Sequence, residues 1–88
     1  MNPQEYNFQH TKERCMERYN IDLTRLDYMV LCNQIKNGVD REIIDTTKQG
    51  NGTQLICKVN LYDQVLYVVY LDETGLITTA LPKEPFTF

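Results

Sequence analysis

The 88-residue sequence has no tryptophan, one histidine, three prolines, four glycines and three cysteines. One imidazole and no Cys-x-x-Cys pair leave too few ligands for a zinc site, so no metal or other cofactor is expected. No apolar run approaches the roughly 18 residues of a membrane-spanning helix. The start Met1-Asn2-Pro3-Gln4-Glu5 has no signal-peptide character. Nor is there an excess of one charge: nine Lys plus Arg face twelve Asp plus Glu, for a net charge of -3. That balance excludes a protein held on nucleic acid by bulk charge alone. Cys15, Cys32 and Cys57 are odd in number, widely spaced and flanked by apolar residues. They read as buried free thiols, a disulfide between two of them being the alternative. A cytoplasmic protein with no membrane partner is the expectation.

What is present is ordinary globular chemistry, with 42% hydrophobic and 24% charged residues, enough for one domain over residues 1–88. Residues 1–7 read as a polar lead-in and 83–88 as a tail that drapes over the sheet or frays. A first helix is expected from Phe8 to Tyr19, capped by Asn7, with Phe8, Cys15, Met16 and Tyr19 on its inner stripe. Asp22 can cap a second helix over Leu23–Asn37, closed by Gly38. Its many apolar residues, Leu26, Met29 and Val30 among them, predict that it is the more buried of the two.

The period then switches from helical to alternating. Arg41–Thr47 reads as an edge strand, Lys48–Gly52 as a turn and Thr53–Val59 as a strand, with Leu55, Cys57 and Val59 on one face. A short turn at Asn60–Asp63 leads to Val65–Leu71, apolar on both faces as a central strand should be. Asp72–Gly75 is another turn, and Leu76–Leu81 is the last strand before Pro82. Short turns favour an antiparallel meander, so the expected fold is α+β. Two N-terminal helices pack on one face of a four-stranded sheet in the order α-α-β-β-β-β.

Four features carry candidate chemistry. His10, Arg14 and Arg18 stand at i, i+4 and i+8, a spacing that aligns them on one helix face. Guanidiniums grip phosphate oxygens in bidentate fashion, and an imidazole transfers protons near neutral pH. A plain solvated face is the alternative. Lys12, Arg14, Arg18 and Arg25 concentrate positive charge between positions 12 and 25, a candidate substrate-binding patch. Tyr62, Tyr67 and Tyr70 cluster around the third strand, as stacking surfaces or as core. Thr78-Thr79 on the last strand must point one hydroxyl away from the core.

The run Phe8-x-His10-x-x-x-Arg14-x-x-x-Arg18, followed by the helix start Ile21-Asp22-Leu23, resembles the opening of small RelE-like proteins. The similarity is to a phage and bacterial branch that opens F-x-x-H-A-x-x-R and closes on I-x-T followed by Pro. Leu76-Ile77-Thr78-Thr79-Ala80-Leu81-Pro82 is similar to that closing strand. This chain has one residue fewer between Phe and His, Thr11 in place of the usual small residue, and an acidic balance where such toxins are strongly basic. The resemblance implies the RelE-like toxin and small-ribonuclease fold and metal-independent RNA cleavage through the 2′-hydroxyl. It implies His10 as general base or acid, Arg14 and Arg18 on the scissile phosphate, and Thr78 or Thr79 orienting phosphate or histidine. The partners it implies are RNA or the ribosome, and an antitoxin. The alternative is a non-catalytic phage or mobile-element protein on the same fold that binds a host protein. Homo-oligomerisation is left open.

Overall fold

The computed structural model describes residues 2–50 and 52–84. Its element order is α1 (Pro3–Tyr19), α2 (Arg25–Asn37), β1 (Arg41–Gln49), β2 (Gly52–Leu61), β3 (Gln64–Leu71) and β4 (Leu76–Leu81). The strands form one antiparallel sheet in the order β1-β2-β3-β4, so the expected α+β layout holds. Asn51 of the expected turn and residues 85–88 of the expected tail lie outside the described residues.

Both helices start at different residues from those their apolar periods suggest. α1 begins five residues earlier than Phe8. Asn2 is its N-cap, accepting from the Glu5 N–H at 2.7 Å, and Pro3 opens the first turn, where its missing N–H costs nothing. The turn is polar, so hydrophobic period alone does not reveal it, and residues 3–7 are helical rather than a lead-in. α2 begins later, at Arg25, because Thr24 and Asp27 make a reciprocal capping box that satisfies two orphan N–H groups. Asp22, the expected cap, instead binds Lys12 at 2.5 Å. Gly38 closes α2 in the left-handed region at φ 71°, as anticipated.

The core lies between the helices and one face of the sheet. α1 contributes Phe8, Thr11, Cys15 and Tyr19, while Met16, expected among them, is exposed. α2 contributes Tyr28, Leu31, Cys32 and Ile35, and its Leu26, Met29 and Val30 are exposed. α2 therefore buries one stripe rather than most of its surface. Cys57, Val59, Leu66, Val68, Tyr70, Ile77 and Ala80 complete the core from the sheet. Each fully buried Leu or Ile contributes about 1.5–3 kcal/mol. Tyr67 and Val69 are buried on the opposite face, beside half-buried Gln54, Ile56 and Lys58, so that face is only partly open.

The two edges of the sheet differ. β4 is sealed by helix side chains: Tyr28 Oη donates to Ile77 C=O at 2.7 Å, and Ile77 N–H donates to Cys32 Sγ at 3.4 Å. Arg18 Nη1 donates to Ala80 C=O at 2.5 Å. β1 is the bare edge, exposed from Glu42 to Lys48. It carries a bulge at Ile44, and Asp45 Oδ1 accepts the Thr46 N–H at 2.8 Å. A bulge and edge charges are the devices that discourage stray strand pairing.

Candidate functional site

α1 places His10, Arg14 and Arg18 at four-residue steps, each about 6 Å further along the axis and turned by about 40°. All three are half-buried, so the stripe lies partly against the protein rather than free on a solvated face. Arg18 is the anchor, because its bond to Ala80 ties the last turn of α1 to the strand that carries Thr78 and Thr79. Arg14 pairs with Glu17 at 2.8 Å, with the carboxylate side chain 59% exposed. Such an exposed pair is worth about 0.2–1 kcal/mol, little enough to yield to a phosphate.

His10 stacks on Tyr6, with ring centroids 6.2 Å apart and an interplanar angle of 11°. Tyr6 precedes His10 by four residues and so extends the stripe by one more turn. Period reading misses it because the first turn of α1 is polar; the Asn2-Pro3 cap signal is what reveals it.

Thr78 and Thr79 sit beside Ala80 but spend their hydroxyls on the backbone. Thr78 Oγ1 donates to Val69 C=O at 3.4 Å, and Thr79 Oγ1 lies 3.5 Å from Ala80 C=O. β4 steps out of register at this point, with Val69 opposite Thr79 and Tyr70 opposite Ile77. Thr78 is thus the bulged residue, and Thr79 shares the sheet face of Val69, away from the helices. Among the described residues neither hydroxyl meets His10 or Arg14.

The wider basic patch is divided. Lys12 holds Asp22 and also donates to Leu23 C=O at 3.2 Å, fastening α1 to the interhelix loop. Arg25 makes two 2.5 Å bonds to Glu5 and lies 4.7 Å from the Phe8 ring centroid, fastening α2 to α1. Hydrogen bonds from Arg25 and then Gln9 hold the Glu5 carboxyl down at about 2. These two cations close the helix pair, and their positive charge is already met by carboxylates.

Two concavities flank α1. One of about 180 Å³ lies between the start of α1 and α2, with Gln4, Glu5, Phe8, Arg25, Tyr28 and Met29 in its lining. The other, an open depression of about 370 Å³, is lined by Gln9, Lys12, Glu13, Met16, Glu17 and Asp22. The stripe lies outside both, as an extended surface rather than an enclosed pocket. Of the tyrosines, Tyr67 and Tyr70 are buried on opposite faces, while Tyr62 is 61% exposed and donates to Asp27. Cys15, Cys32 and Cys57 are free and buried. Among the described residues no cluster of three or more His, Cys, Asp or Glu side chains forms a metal site, and no helix is long and apolar enough to cross a membrane. Comparison of the chain with protein-family models, curated proteins and solved structures found no match in any of the three.

Proposed function

We propose that this chain is a RelE-like domain that acts on RNA without metal, as an endoribonuclease or a toxin-like derivative of one. The observation that carries the reading is the Arg18–Ala80 bond. It ties the Arg18 end of the His10–Arg14–Arg18 stripe to β4, the strand whose closing sequence resembles that family. In this reading Arg14 and Arg18 bind the scissile phosphate and stabilise its growing negative charge. His10 takes the proton of the 2′-hydroxyl, whose oxygen attacks phosphorus. The P–O5′ bond breaks, leaving a 2′,3′-cyclic phosphate, and the departing 5′-oxygen takes up a proton. Lys12 and Arg25 act structurally, Thr79 supports Ala80, and Thr78 fastens β4 to Val69 of β3. Three buried free thiols suit a reducing compartment, the cytoplasm.

The test is cleavage of message in a translating bacterial extract, comparing wild type with His10→Ala and Arg14→Ala and mapping cuts by primer extension. Wild-type cuts that disappear in both variants support the reading. No cleavage by folded wild type sinks it.

A second reading is favoured by a different observation. Leu26, Met29 and Val30 are 70%, 52% and 45% exposed and adjacent on the outer face of α2, an apolar strip of the kind that marks a protein-binding surface. A non-catalytic protein that binds a host protein would use this strip and tolerate His10→Ala. Loss of a captured partner on Leu26→Ser, with cleavage absent throughout, would establish it.

A further inference from the structure

The stripe on α1 has four members, and the one nearest the N-terminus is aromatic. Tyr6, His10, Arg14 and Arg18 recur every four residues, and the Tyr6 ring stacks on the imidazole while remaining 60% exposed. An exposed ring already held parallel to a neighbouring ring presents a preset flat surface on which a further ring can stack. The Tyr6 N–H is bonded within the helix, to Asn2 C=O, but its side chain belongs to neither the core nor any side-chain hydrogen bond among the described residues. Its neighbours on the stripe fix what chemistry would suit it. Arg14 and Arg18 select phosphate, and a ring on the same stripe offers a stacking surface to a base further along the strand. The step of about 6 Å between stripe members is comparable with the advance of an extended strand by one nucleotide, which puts Tyr6 about two nucleotides from Arg14. Bases stacked inside a duplex have no free face to offer.

We infer that Tyr6 is a base-stacking residue of this site, taking an unpaired base about two nucleotides along the strand from the phosphate at Arg14. The inference rests on the RNA-directed reading above and adds the residue that holds a neighbouring base. Stacking is indifferent to base identity, so Tyr6 confers preference for single strands without preference for sequence.

The test is fluorescence anisotropy with a labelled mixed-sequence RNA on the order of twelve nucleotides, its riboses 2′-O-methylated so that it cannot be cut. Tyr6→Ala should weaken binding roughly tenfold, whereas Tyr6→Phe, which keeps the ring, should stay close to wild type. The salt dependence should be unchanged in Tyr6→Ala and shallower in Arg14→Ala, because only the second removes a phosphate contact. On an abasic oligonucleotide of the same length, Tyr6→Ala and wild type should bind alike, which a merely structural role for Tyr6 would not produce. If Arg14→Ala weakens binding and Tyr6→Ala does not, Tyr6 is no stacking residue and the RNA reading survives. If wild type binds no RNA, the functional reading falls and this inference with it.

Discussion

The Tyr19 hydroxyl bridges the end of the β3–β4 ladder, donating to Leu81 C=O at 2.6 Å and accepting from Tyr67 N–H at 3.0 Å. Tyr67 and Leu81 are register partners, so a side chain from α1 stands between two backbone groups that would otherwise bond directly. The helix that carries the candidate site is thereby built into the sheet. Tyr19→Phe removes the bridge and leaves a buried N–H and C=O to find one another across the gap. The expected loss is about 1–3 kcal/mol in urea unfolding. A loss below about 0.5 kcal/mol would mean that the strands close and bond directly.

The three cysteines should be silent toward thiol reagents in the native protein. Burial pushes the Cys15 thiol up to about 11 and raises Cys32 and Cys57 as well, and the thiolate is the reactive form. Ellman's reagent at mildly alkaline pH should find none of the three until urea unfolds the chain, and then all of them. Rapid reaction of a native thiol would show local opening of the helix–sheet interface.

Much of the architecture is legible from the chain, and the gaps have physical causes. Alternation of Leu55, Cys57 and Val59 gives β2 its buried face, and the apolar run from Val65 gives β3 its central place. The first turn of α1 stays hidden because it buries nothing, being held by a cap and a proline. α2 looks interior from its apolar content, but only one stripe of a helix can face a sheet, and Leu26, Met29 and Val30 fall on the other side. The site is half legible. The spacing of His10, Arg14 and Arg18 follows from the helix, whereas the Arg18–Ala80 bond joins residues 62 apart in sequence. No local pattern specifies such a contact. Positive charge clusters in the sequence between Lys12 and Arg25, but folding brings Asp22 and Glu5 to two of those cations.

The Glu5–Arg25 pair predicts a specific acid sensitivity. Its hydrogen bonds lower the Glu5 carboxyl from 4.5 to about 2. A carboxyl depressed in the folded state stabilises it above the unfolded pKa, and that contribution is lost as pH falls through the folded one. Wild type should therefore lose stability between pH 4.5 and about 2, and Glu5→Gln should lose less over the same interval. Denaturation midpoints at several pH values would decide it. Parallel profiles would show that the pair contributes nothing.

The β2–β3 turn is formed by Tyr62 and Asp63, both at positive φ, 51° and 61°. Two-residue hairpin turns of this hand favour Asn and Gly, because a side chain in the left-handed region crowds its own carbonyl. Tyr62 is retained by its bond to Asp27, whereas no side-chain hydrogen bond or ion pair holds Asp63 among the described residues. Asp63→Gly should therefore raise the thermal midpoint by a few degrees, with the hairpin register unchanged. A lower midpoint would mean that the lost flexibility of glycine outweighs the relieved crowding.

Glu17 competes with any anion for Arg14. The pair spans one turn of α1 and is solvent-facing on the carboxylate side, so a phosphate arriving at Arg14 must first displace that carboxylate. Glu17→Gln keeps the side-chain length and removes the charge. In the RNA reading it should tighten binding of single-stranded RNA by about 1.5- to 5-fold, the equivalent of one exposed ion pair. The gain should be largest at low salt and shrink as screening weakens both the pair and the phosphate contact. Glu13→Gln, one turn earlier and without an ion pair to Arg14 among the described residues, serves as the control for the general loss of negative charge. Equal gains from both variants would assign the effect to the overall field of the helix and leave Arg14 without a special place in the site.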